Sequence, residues 1–198
     1  MEKIVVGITG ASGSIYALRL IEELLRAGKQ VPILLTDAGR QVLAFETGLS
    51  LAEEPQACLE QLREYFQLGD RLQCYALNDF FAPIASGSNA PDAVVICPCS
   101  MGTVGRIAAG LSDNLLERVA DVALKEHKKL LLVPRETPFN QIHLENLLRL
   151  SQAGAQILPA MPGFYQKPQS VEELVDFVVG KILDNFDIDH RLFKPWGD

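Results

Sequence analysis

The sequence predicts an α/β protein: a doubly wound, mostly parallel sheet with helices on both faces, forming a three-layer sandwich. Three observations predict it. Short runs of aliphatic, often β-branched residues, such as KIVVGI at 3–8 and AVVIC at 93–97, read as strands buried on both faces. Amphipathic stretches of helical period separate these runs. The segments that follow the strands, 9–13, 36–39, 98–103, 134–138 and 159–168, are all rich in Gly, Pro, Ser or Thr. In a doubly wound sheet such segments share one edge, where ligands bind.

The elements follow in order. Residues 3–8 form the first expected strand. Residues 14–27 carry apolar side chains at helical spacing and stop at Gly28. A second strand spans 31–35. Helices over 40–46 and 55–67 come next, then a short strand at 71–75. Residues 79–91 form a loop rich in Pro, Gly, Ser and Ala. After the 93–97 strand come helices at 103–109 and 114–127, a strand at 130–133, a helix at 140–152 and a strand at 155–158. The last helix spans 170–186, and its Ser170 and Glu173 have capping-box spacing. Residues 1–198 read as one domain. A tail, about 187–198, is expected to pack its Trp196 on a neighbouring subunit.

Composition narrows the function. The 198 residues are 48% apolar and 22% charged, enough for a sizeable core. The net charge of −7 argues against broad binding to nucleic acid or an anionic membrane. An anion site must then be a local basic cluster. No apolar run reaches the roughly 20 residues of a membrane span, and no signal-peptide pattern is present, so a cytoplasmic location is expected. Cys58, Cys74, Cys97 and Cys99 are expected to be free thiols. Cys97-Pro-Cys99 lacks the spacing of a metal or redox motif, so no metal is expected.

Several segments carry polar chemistry. Gly10-Ala11-Ser12-Gly13 joins a strand to a helix, where glycines and helix N–H groups suit an anion. The spacing is GxxGxxG, not the GxGxxG of dinucleotide sites. A tight turn with no ligand is the alternative. Asp37 could bind a ribose or cap a helix. Ser100 and Thr103 could donate hydroxyls to a ligand or merely cap the next helix. Arg118 and Lys125 share a helix face, with Asp121 spaced to pair with either, so spacing alone favours a solvated face. Arg135 and Glu136 lie between Pro134 and Pro138. Arg135 could grip a phosphate and Glu136 could handle a proton, or the two could simply pair. Tyr165 offers a hydroxyl in a Pro-rich loop. His127, His143 and His190 show neither nucleophile nor metal spacing. No GxSxG elbow or P-loop is present.

Taken together, GITGASG, AFETG, ASGS, CPCSMGT, ERVADVALKE, LLLVPRETP, IHLEN and LPAMPGFY, in that order, resemble the flavin prenyltransferase family, the UbiX-like proteins. The resemblance covers nearly the whole chain. It implies a flavodoxin- or Rossmann-like subunit of a homododecamer. It further implies reduced FMN and dimethylallyl phosphate as ligands, with no metal, and prenyl transfer to flavin N5 and C6. The product, prenylated FMN, would serve a UbiD-type decarboxylase.

By motif, Gly10, Ala11, Ser12, Thr36, Ser100, Met101, Gly102, Thr103 and Arg135 would face FMN. Tyr165, Lys181, Ser86, Arg118, Lys125 and Glu136 would bind the prenyl phosphate. Ser12 and Glu46 would manage the N5 proton, while Glu136 and Lys125 would assist catalysis. Two positions depart from the family pattern. Phe80 stands where many members have Trp, a weaker face for an allyl cation. Lys181 stands where many have Arg, which keeps the charge and loses the fork. A flavin-dependent cysteine decarboxylase would need a His on the active-site helix and characteristic Asn- and Met-rich segments, which this sequence lacks. A non-catalytic FMN-binding or delivery protein would not need Arg118, Lys125, Glu136 and Tyr165 together. A nicotinamide dehydrogenase is disfavoured by the glycine spacing.

Overall fold

A computed structural model describes residues 2–194. Its six strands are β1 (Ile4–Ile8), β2 (Val31–Leu35), β3 (Leu72–Cys74), β4 (Ala93–Cys99), β5 (Lys129–Pro134) and β6 (Gln156–Ile157). They form one parallel sheet in the order β3-β2-β1-β4-β5-β6. This is the Rossmann order, with its switch point between β1 and β4. Every residue of β1, β2 and β4 is buried, as expected for strands covered on both faces.

The helices are α1 (Ser14–Arg26), α2 (Asp37–Thr47), α3 (Pro55–Phe66), α4 (Met101–Ala108), α5 (Leu115–Lys125), α6 (Gln141–Gln152) and α7 (Val171–Asn185). Side chains alternate across the strands, so the sheet feeds two cores. Ile4, Val6 and Ile8 pack with α1, α3 and α7 on one face. Val5, Val94 and Ile96 pack with α4, α5 and α6 on the other. The 79–91 segment holds only two short 3-10 turns, Pro83–Ala85 and Gly87–Asn89.

Boundaries moved where a cap or a pairing decided them. Helix α2 begins at Asp37 rather than 40, because Thr36 Oγ1 accepts the Gly39 N–H at 3.0 Å. Asp37 therefore lies inside the helix and is not its cap. Helix α4 begins at Met101 rather than 103, because Ser100 is its cap. Strand β4 runs on to Cys99 through a register shift that pairs Cys99 with Pro134. Only Gln156 and Ile157 pair with β5, so β6 is shorter than 155–158.

The expected capping box of α7 is half formed. The Glu173 N–H donates to Ser170 Oγ at 3.3 Å, but the Glu173 carboxylate accepts from Gln169, one residue earlier. The reciprocal box occurs at α6 instead, between Asn140 and His143. After α7 the chain folds back on its own helix. Ile188 is buried, His190 Nε2 lies 3.1 Å from Asp184 Oδ1, and Phe193 stacks near Phe177. The tail residue Trp196 lies outside the described residues.

Candidate functional site

The carboxyl ends of the strands are laced into one rim by short polar contacts. At the switch point, Thr9 Oγ1 donates to the Pro98 carbonyl at 2.8 Å and accepts the Ser100 N–H at 2.8 Å. The Thr36 N–H donates to the Ile8 carbonyl at 3.0 Å, which ties the β2 loop to β1. The Arg135 N–H donates to Cys99, and its Nε donates to the Ser12 carbonyl at 3.2 Å. The Ala160 N–H donates to Pro134. The five loops singled out in the sequence thus adjoin one another.

The start of α1 is already capped. Gly13 takes φ 108°, a conformation that favours glycine, and so turns the strand into the helix. The Glu46 carboxylate then accepts the N–H groups of Gly13 (3.0 Å) and Ser14 (2.8 Å). An anion does sit at this turn, as the glycine motif suggested, but the chain supplies it from α2. Partial burial raises the Glu46 pKa. Hydrogen bonds from the Ser12 hydroxyl, Ser14 and Gly13 outweigh it, and the carboxyl is held below its ordinary range.

A different helix end remains open. In α4 the Thr103 N–H donates to Ser100 Oγ at 3.3 Å, and Thr103 Oγ1 bonds the same oxygen at 3.0 Å. Ser100 and Thr103 therefore do cap the helix. Among the described residues, the N–H groups of Met101 and Gly102 have no acceptor. Gly102 is exposed, whereas the Met101 side chain packs in the core with Val104. Of Met101, the backbone rather than the side chain is available to a ligand. A cavity of about 790 Å³ adjoins the rim, walled by Ser12, Gly13, Tyr16, Glu46, Arg135 and Pro162 among others. Gly10, Ala11, Thr36 and the α4 turn lie on the rim rather than in that wall.

Arg135 and Glu136 do not pair. Arg135 turns to Ser12, and Glu136 accepts the Thr137 N–H at 3.1 Å. The reading in which the two merely end the strand is set aside.

The other basic residues stand in two further groups. Arg118 Nε donates to the Ala85 carbonyl at 3.1 Å, and its Nη1 pairs with Asp121 at 2.8 Å. This helix face is therefore turned toward the 79–91 loop, contrary to the solvated-face reading. Lys125 pairs with Glu126 at 2.8 Å rather than with Asp121. Gly87 leaves room for that pair, since a Cβ there would meet Glu126 Oε1 at 2.1 Å and Lys125 Nζ at 3.0 Å. Next to it the Ser86 and Ser88 hydroxyls share a hydrogen bond. Phe80 in the same loop is 45% exposed. Helix α5 runs from the carboxyl edge of the sheet toward the amino edge. Seven residues separate Lys125 from Arg118, about 10 Å of helix that takes it away from its own rim.

The third group lies on α7. Tyr165 meets Phe177 edge-on, and Phe177 lies against Phe193. Lys181 Nζ sits 5.6 Å from the Phe193 ring centre and pairs with Asp184 at 2.6 Å. The four cations expected to gather on one phosphate are thus distributed over three places in a single chain.

The family model described as Flavoprotein matches residues 1–183. The flavin prenyltransferase UbiX of Pseudomonas aeruginosa is 50% identical over 198 residues, covering 100% of this chain and 95% of that protein. That of Halalkalibacterium halodurans is 52% identical over 194 residues, covering 98% and 92%. The chain belongs to the flavin prenyltransferase family. A crystal structure of AnUbiX with FMN and dimethylallyl pyrophosphate is similar at a TM-score of 0.88 and 36% identity, covering 100% of this chain and 98% of that one. A dodecameric FMN-dependent UbiX-like decarboxylase from Escherichia coli O157:H7 reaches the same TM-score and identity, covering 99% and 100%. The FMN-dependent cysteine decarboxylase TvaF, at a TM-score of 0.56 and 21% identity over 79% of this chain and 89% of that one, shares the fold alone.

Two residues of this flavin prenyltransferase fold escaped the sequence reading. Thr9 joins the loops of β1 and β4, and its only signal was a hydroxyl at the end of a buried strand. Glu117 is 1% exposed and accepts from Arg106 Nε (2.6 Å), Asp113 N–H (2.9 Å) and Asn114 Nδ2 (2.8 Å). It anchors the start of α5. Nothing in its spacing separated it from a surface glutamate. Among the described residues no helix is long and apolar enough to cross a membrane, and no group of three His, Cys, Asp or Glu could hold a metal ion.

Proposed function

We propose that this chain transfers a dimethylallyl group from dimethylallyl phosphate to N5 and C6 of reduced FMN, yielding prenylated FMN for a UbiD-type decarboxylase. The observation that carries this reading is the whole-length likeness to a chain that holds FMN and dimethylallyl pyrophosphate. The residues present fit the flavin. The open first turn of α4 offers two N–H donors to an anion, and Ser12 and Arg135 reach the same rim from the loops after β1 and β5. Gly10, Ala11, Ser12, Thr36, Ser100, the Met101–Thr103 backbone and Arg135 would hold it. When bound, the reduced flavin supplies the nucleophilic N5 and C6 atoms.

The chain's own residues would do the rest. Breaking an allylic C–O bond leaves negative charge on phosphate, and Arg118, Lys125, Arg135 and Lys181 would stabilise that charge. Ser86 and Tyr165 would add hydroxyl donors, and Phe80 would face the allyl cation. Glu136 would protonate the leaving phosphate. Glu46, held ionised by its hydrogen bonds, is a weak base. It would orient Ser12, whose hydroxyl would relay the N5 proton.

The reading requires more than one copy. Lys125 is carried away from its own rim, so the basic group of one chain would complete the rim of a neighbour. A homododecamer is the proposed assembly, in line with the dodecameric relative. Each copy is proposed to be one domain, its end packed on a neighbour, in the cytoplasm. Incubation with reduced FMN and dimethylallyl phosphate should give a flavin heavier by one C5 unit in mass spectra. Unmodified FMN, with the donor shown to be bound, would favour a delivery protein.

A further inference from the structure

Cys58 on α3 and Cys74 at the end of β3 meet at the edge of the sheet. Their thiols interact, and the Cys74 S–H favours the Cys58 thiolate. Both line a cavity of about 330 Å³ that shares no wall residue with the larger one and reaches Asp37 at the start of α2. Its wall includes the exposed residues Glu53 and Asn78, so the cavity opens to solvent. Arg40 reaches into it from α2. Its Nη1 donates to the carbonyls of Leu51 and Ala52, which pins the guanidinium beside Cys58. Arg40 Nε is buried and has no hydrogen-bond partner among the described residues.

These neighbours make the two sulfurs unequal. The hydrogen bond from Cys74 lowers the Cys58 pKa; burial opposes it, and the Arg40 charge reinforces it. Glu54 acts weakly the other way. Cys74 is raised by the same hydrogen bond and by burial, with Arg40 and Arg63 opposing. By contrast, Cys97 and Cys99 are wholly buried, and burial pushes both up, Cys99 to about 12.

We propose that Cys58 and Cys74 form a peroxide-oxidised dithiol, a modification site in which Cys58 attacks and Cys74 resolves. The Cys58 thiolate attacks one oxygen of hydrogen peroxide, the O–O bond breaks, and the departing hydroxide takes a proton to become water. Cys58 is left as a sulfenic acid. The Cys74 sulfur then attacks the Cys58 sulfur, the S–O bond breaks, and a second water leaves with the Cys74 proton. Two thiols lose two electrons and two protons, and one peroxide becomes two waters. Reduced flavin meeting dioxygen produces the same oxidant, but the site does not depend on prenyl transfer.

The test adds hydrogen peroxide to the full-length protein, blocks remaining thiols with N-ethylmaleimide, and maps peptides by mass. A Cys58–Cys74 linked peptide is expected, with Cys97 and Cys99 still alkylated and full reversal by dithiothreitol. In Cys74→Ser, Cys58 should be trapped as a sulfenic acid that dimedone captures. Before oxidation, Cys58 should alkylate at least about tenfold faster than Cys97 or Cys99. The proposal is overturned if wild-type Cys58 and Cys74 both stay alkylatable after peroxide, or if either is linked to a different cysteine. The wild-type measurement decides even if a variant folds poorly.

Discussion

Glu46 of α2 seals the start of α1 by accepting the Ser14 N–H at 2.8 Å. A glycine turn that resembles a phosphate seat is thereby closed by the chain's own carboxylate. The open anion seat moves one loop along, to the first turn of α4. Because the Glu46 pKa is depressed in the fold, its stabilisation is present above the ordinary carboxylate pKa and is lost as pH falls through the folded value. Glu46 is exposed, so solvent screening limits the effect to about 0.5–1 kcal/mol. Glu46→Gln should lower the urea midpoint accordingly at pH 7, and the difference should close on acidification below about pH 4. An equal difference at both pH values would refute the cap.

Arg135 links the β5 loop to Ser12, so its removal should loosen the rim where FMN is proposed to bind. Arg135→Ala should weaken FMN binding about tenfold or more, read by quenching of flavin fluorescence. Far-ultraviolet circular dichroism should be unchanged. Unaltered FMN affinity would remove Arg135 from the flavin site.

Among the described residues, the Glu136 carboxylate has only a local contact, with the Thr137 N–H. Glu136→Gln should slow prenyl transfer by about 100-fold while FMN stays bound. Loss of FMN would instead assign Glu136 to cofactor binding.

Lys125 and Arg135 belong to different groups of one chain, so they should act in a site built by two chains. Lys125→Ala and Arg135→Ala proteins should each be deficient. Assemblies formed by mixing both chains should recover about a quarter of wild-type turnover, from sites that receive both intact residues. No recovery in mixed assemblies, confirmed as mixed by native mass spectrometry, would place both residues in one chain's site.

Glu117 is a buried carboxylate with three donors. Glu117→Ala should destabilise the fold by about 2–3 kcal/mol in urea unfolding, less than a fully buried pair because Arg106 is 46% exposed on its side. A loss under about 0.5 kcal/mol would show that water replaces the carboxylate at no cost.

The strands, the helices and their alternation were legible because burial on two faces demands continuous apolar runs, and burial on one demands helical period. The loops that form the rim were legible for a related reason: Gly and Pro set sharp turns, and Ser and Thr hydroxyls satisfy backbone groups there. KIVVGI and AVVIC needed no tertiary information. What the sequence by itself determined about this protein was therefore its layers, the edge that carries the site, and its family.

Tertiary structure decided which charge meets which. Glu46 reaches Gly13 and Ser14 across 32 residues or more, Arg135 reaches Ser12 across 123, and Arg118 reaches Ala85 across 33. Local spacing suggested nearer partners, Glu136 for Arg135 and Asp121 for Lys125. Hydrogen bonds and ion pairs are short-ranged, so their partners are set by where the sheet order brings chain segments together. No periodicity in the sequence encodes that order.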